Sequence, residues 1–400
     1  MMNTPNCFPA GGASVPASRW RRMALRLSAL AVVLITAAYA GSAVMDIPPP
    51  SMLFQLGLMD PSRHGDLFPA REIAAPAVPR ALLAQPESPP ATVPWEAGEI
   101  AFDRFLELTH TNAFLILRGG KLTYEWYRPG VDPDTPMSSW SMTKSLVSLL
   151  VGQAIDHGKL RESDRLVDLL PELATAGDYG KVTVRDLLDM RSGVFVDESY
   201  RVYWPFTGAT RMYLTRDLPG FAAQHRQMQF TPGSASEYSS LDTQLLGLAL
   251  ARVTGSNLAD LMARDIWQPI GAEQPATWSL DRADGTEKAF CCVNATARDF
   301  ARVGQMLAEQ GSVAGKQVVS RAWVARIATP VTEFSDGWGF SAQWWHRSAN
   351  DGEDYSSMGL YGQYIYVHPS ERVVIVKLSD HGAEDDEYST YDVFRAIARR

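Results

Sequence analysis

The 400-residue chain has only three cysteines, Cys7, Cys291 and Cys292. That number fits no framework of paired bridges. Cys291 and Cys292 are adjacent and could join only through a strained ring, so buried free thiols are expected. The histidines show no His-Glu-x-x-His pattern or other ligand spacing, so neither a metal nor a cofactor is expected. His110 and His157 are read as packing or surface residues. There is no Gly-x-Ser-x-Gly elbow, which disfavours an α/β-hydrolase with a histidine-based triad. Positive charge is short, with Lys+Arg 37 against Asp+Glu 45 and a formal net charge of −8, which excludes a nucleic acid partner. The acidic run Glu384-Asp385-Asp386-Glu387 reads as a solvated turn that favours the N-terminus of a following helix.

Lysine is scarce, and Lys144 alone has a serine three positions before it. In Ser141-Met142-Thr143-Lys144 the two side chains share one helical face, and the apolar run Leu146, Leu149, Leu150, Val151 marks the start of a buried helix. A serine there has its own N–H in the first turn, where the helix dipole favours a developing oxyanion. A lysine one turn on can take or relay the serine proton. An isolated Ser-x-x-Lys is more often a helix cap beside a solvated lysine. Here Trp140 and Met142 flank the serine and supply apolar walls that would depress the lysine pKa by desolvation.

About a hundred residues later, Pro232-Gly233 marks a turn and the apolar spacing after Ser240 marks a helix. Tyr238 and Ser240 therefore stand on a loop entering a helix. A phenol paired with a lysine can act as general acid and base, and a nearby hydroxyl can carry the proton to the leaving group. Tyr355-Ser356-Ser357 repeats the same three letters, so it is the turn-then-helix setting that selects Tyr238.

Arg19, Arg21, Arg22 and Arg26 precede an uncharged apolar run from Leu27 to Met45, with Ala38-Tyr39-Ala40 as a candidate cleavage site. The run approaches the ~20 residues that cross a bilayer, so residues 1–46 are expected to be a signal or an inner-membrane anchor. The arginines place that end in the cytoplasm and the remainder of the chain in the periplasm. Residues 47–95 are proline-rich and weakly periodic, as a linker would be. From residue 96 onward a single domain is expected, 46% hydrophobic content over the chain being ample for a large core. Ile100 to Leu108 reads as a helix, and Ala113 to Arg118 with Leu122 to Tyr127 as a hairpin through Gly119-Gly120. Residues 140–330 are mostly helical in pattern. Thr183 with Asp186, and Thr296 with Asp299, form capping pairs, and Gly193 marks a helix end. Strands return at Trp338 to Trp345, Gln363 to His368 and Arg372 to Ser379, before a last helix through Tyr391 and Phe394. Residues 96–139 and 331–400 would thus build one antiparallel sheet flanked by helices, with a mainly helical lobe between them and Ser141 at the seam.

The chain resembles the serine β-lactamase and penicillin-binding-protein superfamily, within it the class C-like esterases and amidases, and most of all the 6-aminohexanoate-dimer hydrolases. The likeness runs from about Thr111 to the C-terminus. It rests on Asn112 to Gly119, Ser141 to Lys144, Val182 to Gly193, Tyr238-Ser-Ser240, Asn294 to Gly304, Gln343-Trp-Trp345, Gly359 to Gln363 and Val373 to Ser379, all in one order. It implies an α/β (α+β) fold of the β-lactamase/transpeptidase type. It also implies an acyl-enzyme on Ser141, Lys144 as its base partner and Tyr238 as general acid/base. Ser240 stands where many class C-like members have asparagine, Tyr200 aligns with a substrate-contacting tyrosine, and the oxyanion donors would be the backbone N–H groups of Ser141 and Leu360. The superfamily's Lys or His before Thr-Gly has no basic counterpart in Ser356 to Gln363. That residue usually helps hold a substrate carboxylate, so a small amide or ester without one is the expected substrate. A β-lactamase or D-Ala-D-Ala peptidase is the alternative enzyme. A membrane-anchored receptor or scaffold that is acylated without turning over is the alternative outside catalysis, and it is disfavoured by the short stretch before Arg19. Oligomeric state is left open.

Overall fold

The computed structural model describes residues 17–199, 207–382 and 386–400, and the chain divides into two units, Met1–Phe54 and Gln55–Arg400. The first unit contains the helix Ala17–Val44. Its stretch Trp20–Val44 has 25 residues and a mean hydropathy of 2.0, and at about 1.5 Å per residue it is long enough for the ~30 Å hydrocarbon core of a bilayer.

The second unit is built on a nine-stranded sheet. Thr111–Arg118 and Val373–Ser379 pair antiparallel at its centre, and both are apolar on both faces, as strands covered from two sides must be. Gly119 and Gly120, at φ 55° and 82°, close the hairpin to Lys121–Tyr127. On the other side of the centre the order runs through Gln363–His368, Tyr355–Gly359, Trp344–His346 and Gly339–Ser341 to Thr332–Glu333. One face is covered by Phe102–Leu108 and Glu387–Ala398, over a core of Phe102, Phe105, Phe114, Tyr366, Tyr391 and Phe394. Helix Ala297–Ala308 packs against Val373–Ser379. A β-carbon on its Gly304 would lie 2.4 Å from Val374 Cγ1, so this approach requires glycine.

Four sequence expectations change. Trp338 to Trp345 is not one strand but a hairpin, Gly339–Ser341 and Trp344–His346, turned at Ala342 and Gln343 with φ 47° and 69°. Neither residue announces a turn; tertiary bonds impose it. Ala342 N–H donates to Asp189 Oδ1 at 3.0 Å, and Gln343 Nε2 donates to the carbonyls of Leu187 at 2.9 Å and Leu188 at 3.1 Å.

The expected linker is folded into the second unit from Pro61 to Trp95. Ser62 donates its N–H and hydroxyl to Asp380, Ala70–Ile73 pairs with Ala276–Ser279, and Leu83–Ala84 pairs in parallel with Lys121 and Leu122. Pro94 stands in the short strand Thr92–Trp95 of a two-stranded sheet, where a missing N–H is tolerated.

The region from residue 140 to 330 also contributes to a second sheet, ordered Ala70–Ile73, Ala276–Ser279, Val293–Ala295, Met137–Ser138. Finally, Cys291 and Cys292 are joined in a disulfide, where free thiols were expected; both are buried. Their Cα atoms are 3.7 Å apart, and the left-handed backbone at Cys292, φ 79°, accompanies the ring.

Smaller details also differ. The helix expected from Ile100 begins at Phe102, after a short hairpin of Thr92–Trp95 with Gly98–Ala101. Thr183 and Asp186 do form a capping box, but that helix ends at Leu188, and Gly193 lies in the turn beyond it.

Candidate active site

Helix Met142–Asp156 starts directly after Ser141, and Trp140 turns the chain into it with φ 48°. The entry is fixed by polar groups on both sides. Ser139 and Thr143 hydroxyls lie 2.7 Å apart, Val293 N–H donates to Thr143 Oγ1 at 3.0 Å, and Ser139 N–H donates to Val293 O at 2.9 Å. Trp140 is packed between Tyr213, stacked at 5.5 Å, and Tyr361, at 4.8 Å. A serine is thereby presented at a helix start whose backbone cannot drift.

Lys144 is 2% exposed, and its Nζ lies 3.0 Å from Ser141 Oγ and 2.8 Å from Phe290 O. Burial lowers its pKa to about 7, with the negative charge of Glu198 opposing the shift. As a neutral amine it can donate to Phe290 O and turn its lone pair to the serine hydroxyl. Tyr238 completes the cluster, its ring centroid 4.9 Å from Lys144 Nζ and 5.5 Å from the stacked ring of Trp345. Ser240, the first residue of helix Ser240–Thr254, is fully buried. Its N–H and hydroxyl both donate to Glu198, at 2.5 and 2.9 Å.

The sheet supplies the opposite wall. Gly359 ends its strand against the serine turn, where a β-carbon would lie 2.6 Å from Ser139 O and 3.1 Å from Ser141 N. Leu360 follows in the turn to Gln363, which donates to Leu360 O at 3.1 Å. Gln343 ties the walls together: its carbonyl accepts from Ser145 at 2.6 Å and its side-chain oxygen from Thr243 at 2.7 Å. The helix of Lys144 and the helix of Ser240 thus share one residue of the sheet's hairpin turn. The resulting cleft has a volume of about 420 Å³ and is lined by Ser141, Tyr238, Trp338, Trp345, Leu360 and Asp336, among others. The described residues that line it include no lysine or arginine. Lys377, on the neighbouring strand, is fully buried behind the turn and donates to Ser379 Oγ at 2.6 Å; burial lowers its pKa to about 7.

Ser141, Lys144, Tyr238, Ser240 and Leu360 are therefore brought to one cleft region, whereas Tyr200 lies outside the described residues. Sequence reading passed over Glu198 and gave Gln343 no role. Nothing in an acidic loop residue signals a bond to Ser240, 42 positions away. Among the described residues, no group of three His, Cys, Asp or Glu side chains could hold a metal ion.

Residues 107–398 match the beta-lactamase family. The chain belongs to that family. It is 30% identical to the 6-aminohexanoate-dimer hydrolase of Paenarthrobacter ureafaciens over 337 residues, covering 80% of this chain and 84% of that one. Penicillin-binding protein 4 of Amycolatopsis lactamdurans is 25% identical over 307 residues, covering 67% and 77%. A Bacillus anthracis protein provisionally named a 6-aminohexanoate-dimer hydrolase shares the fold, with a TM-score of 0.71 at 21% identity over 88% of this chain and 95% of that one. As a member of the beta-lactamase family with these relatives, the protein is a serine hydrolase of the β-lactamase and penicillin-binding-protein superfamily.

Proposed function

We propose that this hydrolase cleaves a small amide or ester through an acyl-enzyme on Ser141. The observation that carries the reading is Lys144: buried, 3.0 Å from Ser141 Oγ, and with a pKa of about 7. Neutral Lys144 takes the Ser141 proton as Oγ bonds to the substrate carbonyl carbon. The carbonyl oxygen, now negative, is received by the backbone N–H groups of Ser141 and Leu360. Collapse of this intermediate breaks the bond to the leaving amine or alkoxide, which takes a proton from Lys144 by way of Tyr238, with Ser240 and Tyr200 as relay and substrate contacts. Water then adds to the acyl-enzyme by the reverse sequence and releases the acid.

The cleft supports substrates that lack an obligatory carboxylate. Its wall is aromatic, through Tyr238, Trp338 and Trp345, and its charged lining includes Asp336, Asp386 and Glu387 without a lysine or arginine among the described residues. The relative from Paenarthrobacter ureafaciens is named for the 6-aminohexanoate dimer, which supports the amide side of the reading and not the lack of a carboxylate, since that dimer carries one. We also propose that Ala17–Val44 exports the catalytic unit or anchors it at the inner membrane, with residues 1–46 as that segment and the catalytic unit on the periplasmic side. A panel of p-nitrophenyl esters, short linear amides and nitrocefin, run on purified protein with Ser141→Ala as blank, tests the reading. Turnover of esters or amides that the blank lacks is expected; turnover that survives in the blank contradicts it.

A further inference from the structure

We propose that Glu198 is a positioning residue of this site, a carboxylate that clamps Ser240 and supplies the negative charge against which Lys144 becomes an ammonium during acylation. The proposal rests on the reading of Lys144 as the base.

Glu198 lies in the loop after the bridge between Val194 and Met228, and both of its oxygens face Ser240. Oε1 accepts the Ser240 N–H at 2.5 Å and Oε2 accepts the Ser240 hydroxyl at 2.9 Å. The first N–H groups of a helix have no partner within it, and Ser239, at the cap position, makes no side-chain cap bond. A carboxylate from a separate loop fills that role, at the end of the helix where the dipole favours a negative charge. The same group is sensed by Lys144, and each favours the charged form of the other against the burial that opposes both. Acidic groups among the described residues also act on this corner. Asp197 precedes Glu198, and Asp242, on the helix of Ser240, accepts from Ser192 Oγ at 2.6 Å. Tyr238 and Phe290 O face Lys144 from the remaining sides. Lys144 is a cation that acts on Glu198.

In the resting site the lysine must be neutral to accept a proton. Once Ser141 transfers its proton, an ammonium stands in a desolvated pocket. Glu198, held by two donors, offers a fixed counter-charge that requires no reorganisation. Its removal has two consequences. The lysine becomes harder to protonate, so the acid limb of kcat/KM moves to lower pH. Stabilisation of the ammonium is also lost, so the plateau falls.

Glu198→Gln keeps the size and one acceptor while removing the charge. Its acid limb is expected about one pH unit below that of the wild type, with a plateau lower by on the order of tenfold to a hundredfold. Glu198→Ala should lose at least as much, and added formate, but not formamide, should restore part of its rate. An acid limb that stays in place in Glu198→Gln, or formate rescue no better than formamide in Glu198→Ala, overturns the proposal. Lys144→Ala run alongside separates the two readings: full activity there removes the base itself, whereas an inactive Lys144→Ala with an unmoved limb in Glu198→Gln removes the role of Glu198 alone.

Discussion

Trp345 stacks on Tyr238, the ring centroids 5.5 Å apart and the planes 28° from parallel. The pair joins the sheet to the loop that enters helix Ser240–Thr254, and the tyrosine ring in turn faces Lys144. A residue two positions from the Gln343 turn therefore braces the phenol, which makes the sheet hairpin part of the active-site frame.

Ser141→Ala is expected to abolish turnover while the fold persists, because the methyl fits the turn and the bonds that fix it come from Ser139, Thr143 and Val293. Loss of a nucleophile from a coupled unit costs about 10³- to 10⁶-fold in rate. Steady-state kinetics and circular dichroism on the same preparation check it.

Lys144 should show itself in the pH profile. With its pKa lowered to about 7, the free enzyme loses its base as pH falls, so kcat/KM should have an acid limb near pH 7. Lys144→Arg should be nearly as damaging as Lys144→Ala, since arginine keeps the charge but does not deprotonate. An arginine variant that retains most of the rate would mean that only the positive charge matters.

Nitrocefin should be a poor substrate beside p-nitrophenyl butyrate. A charge-assisted bond to a substrate carboxylate is worth about 1.5 to 3 kcal/mol, and no lysine or arginine stands among the described residues of the cleft. The comparison is of kcat/KM for both on one preparation, and a nitrocefin value equal to the ester value would show that another group, such as His381 in the lining, holds the carboxylate.

Lys377 predicts a pH-dependent stability. Its folded pKa is about 7, set by burial, whereas an unfolded lysine titrates near ~10.4. Between these values the unfolded chain carries a proton that the folded chain lacks, so this residue makes stability rise with pH and costs most at pH 7 and below. Lys377→Met should therefore gain most over the wild type at pH 7, with the gain shrinking by up to about 1.4 kcal/mol per pH unit toward pH 9.5. Urea denaturation at both pH values measures it; a constant difference between variant and wild type contradicts it.

The central strands were legible because their apolar runs are continuous, and the serine helix because Leu146, Leu149 and Leu150 come after the motif at helical spacing. The turn at Ala342 and Gln343 was not, since its positive φ values are held by Asp189 and the carbonyls of Leu187 and Leu188, which no local pattern displays. The same holds for the stretch from Pro61 to Trp95, where proline content suggested a tether but the pairing of Ala70–Ile73 and Leu83–Ala84 with distant strands decides the outcome. In the site, Ser141, Lys144 and Tyr238 carry spacing or turn signals of their own. Glu198 has none, because its partner Ser240 is reached only through the fold.

The most direct test is to trap the intermediate. The protein is mixed with p-nitrophenyl butyrate, quenched in acid within the first turnovers, and subjected to intact-mass measurement and peptide mapping. The account predicts one butyryl group per chain on Ser141, absent from Ser141→Ala and formed far more slowly in Lys144→Ala. A butyryl group on another residue, or ester turnover with no adduct on Ser141 while the Ser141→Ala protein remains active, would contradict it.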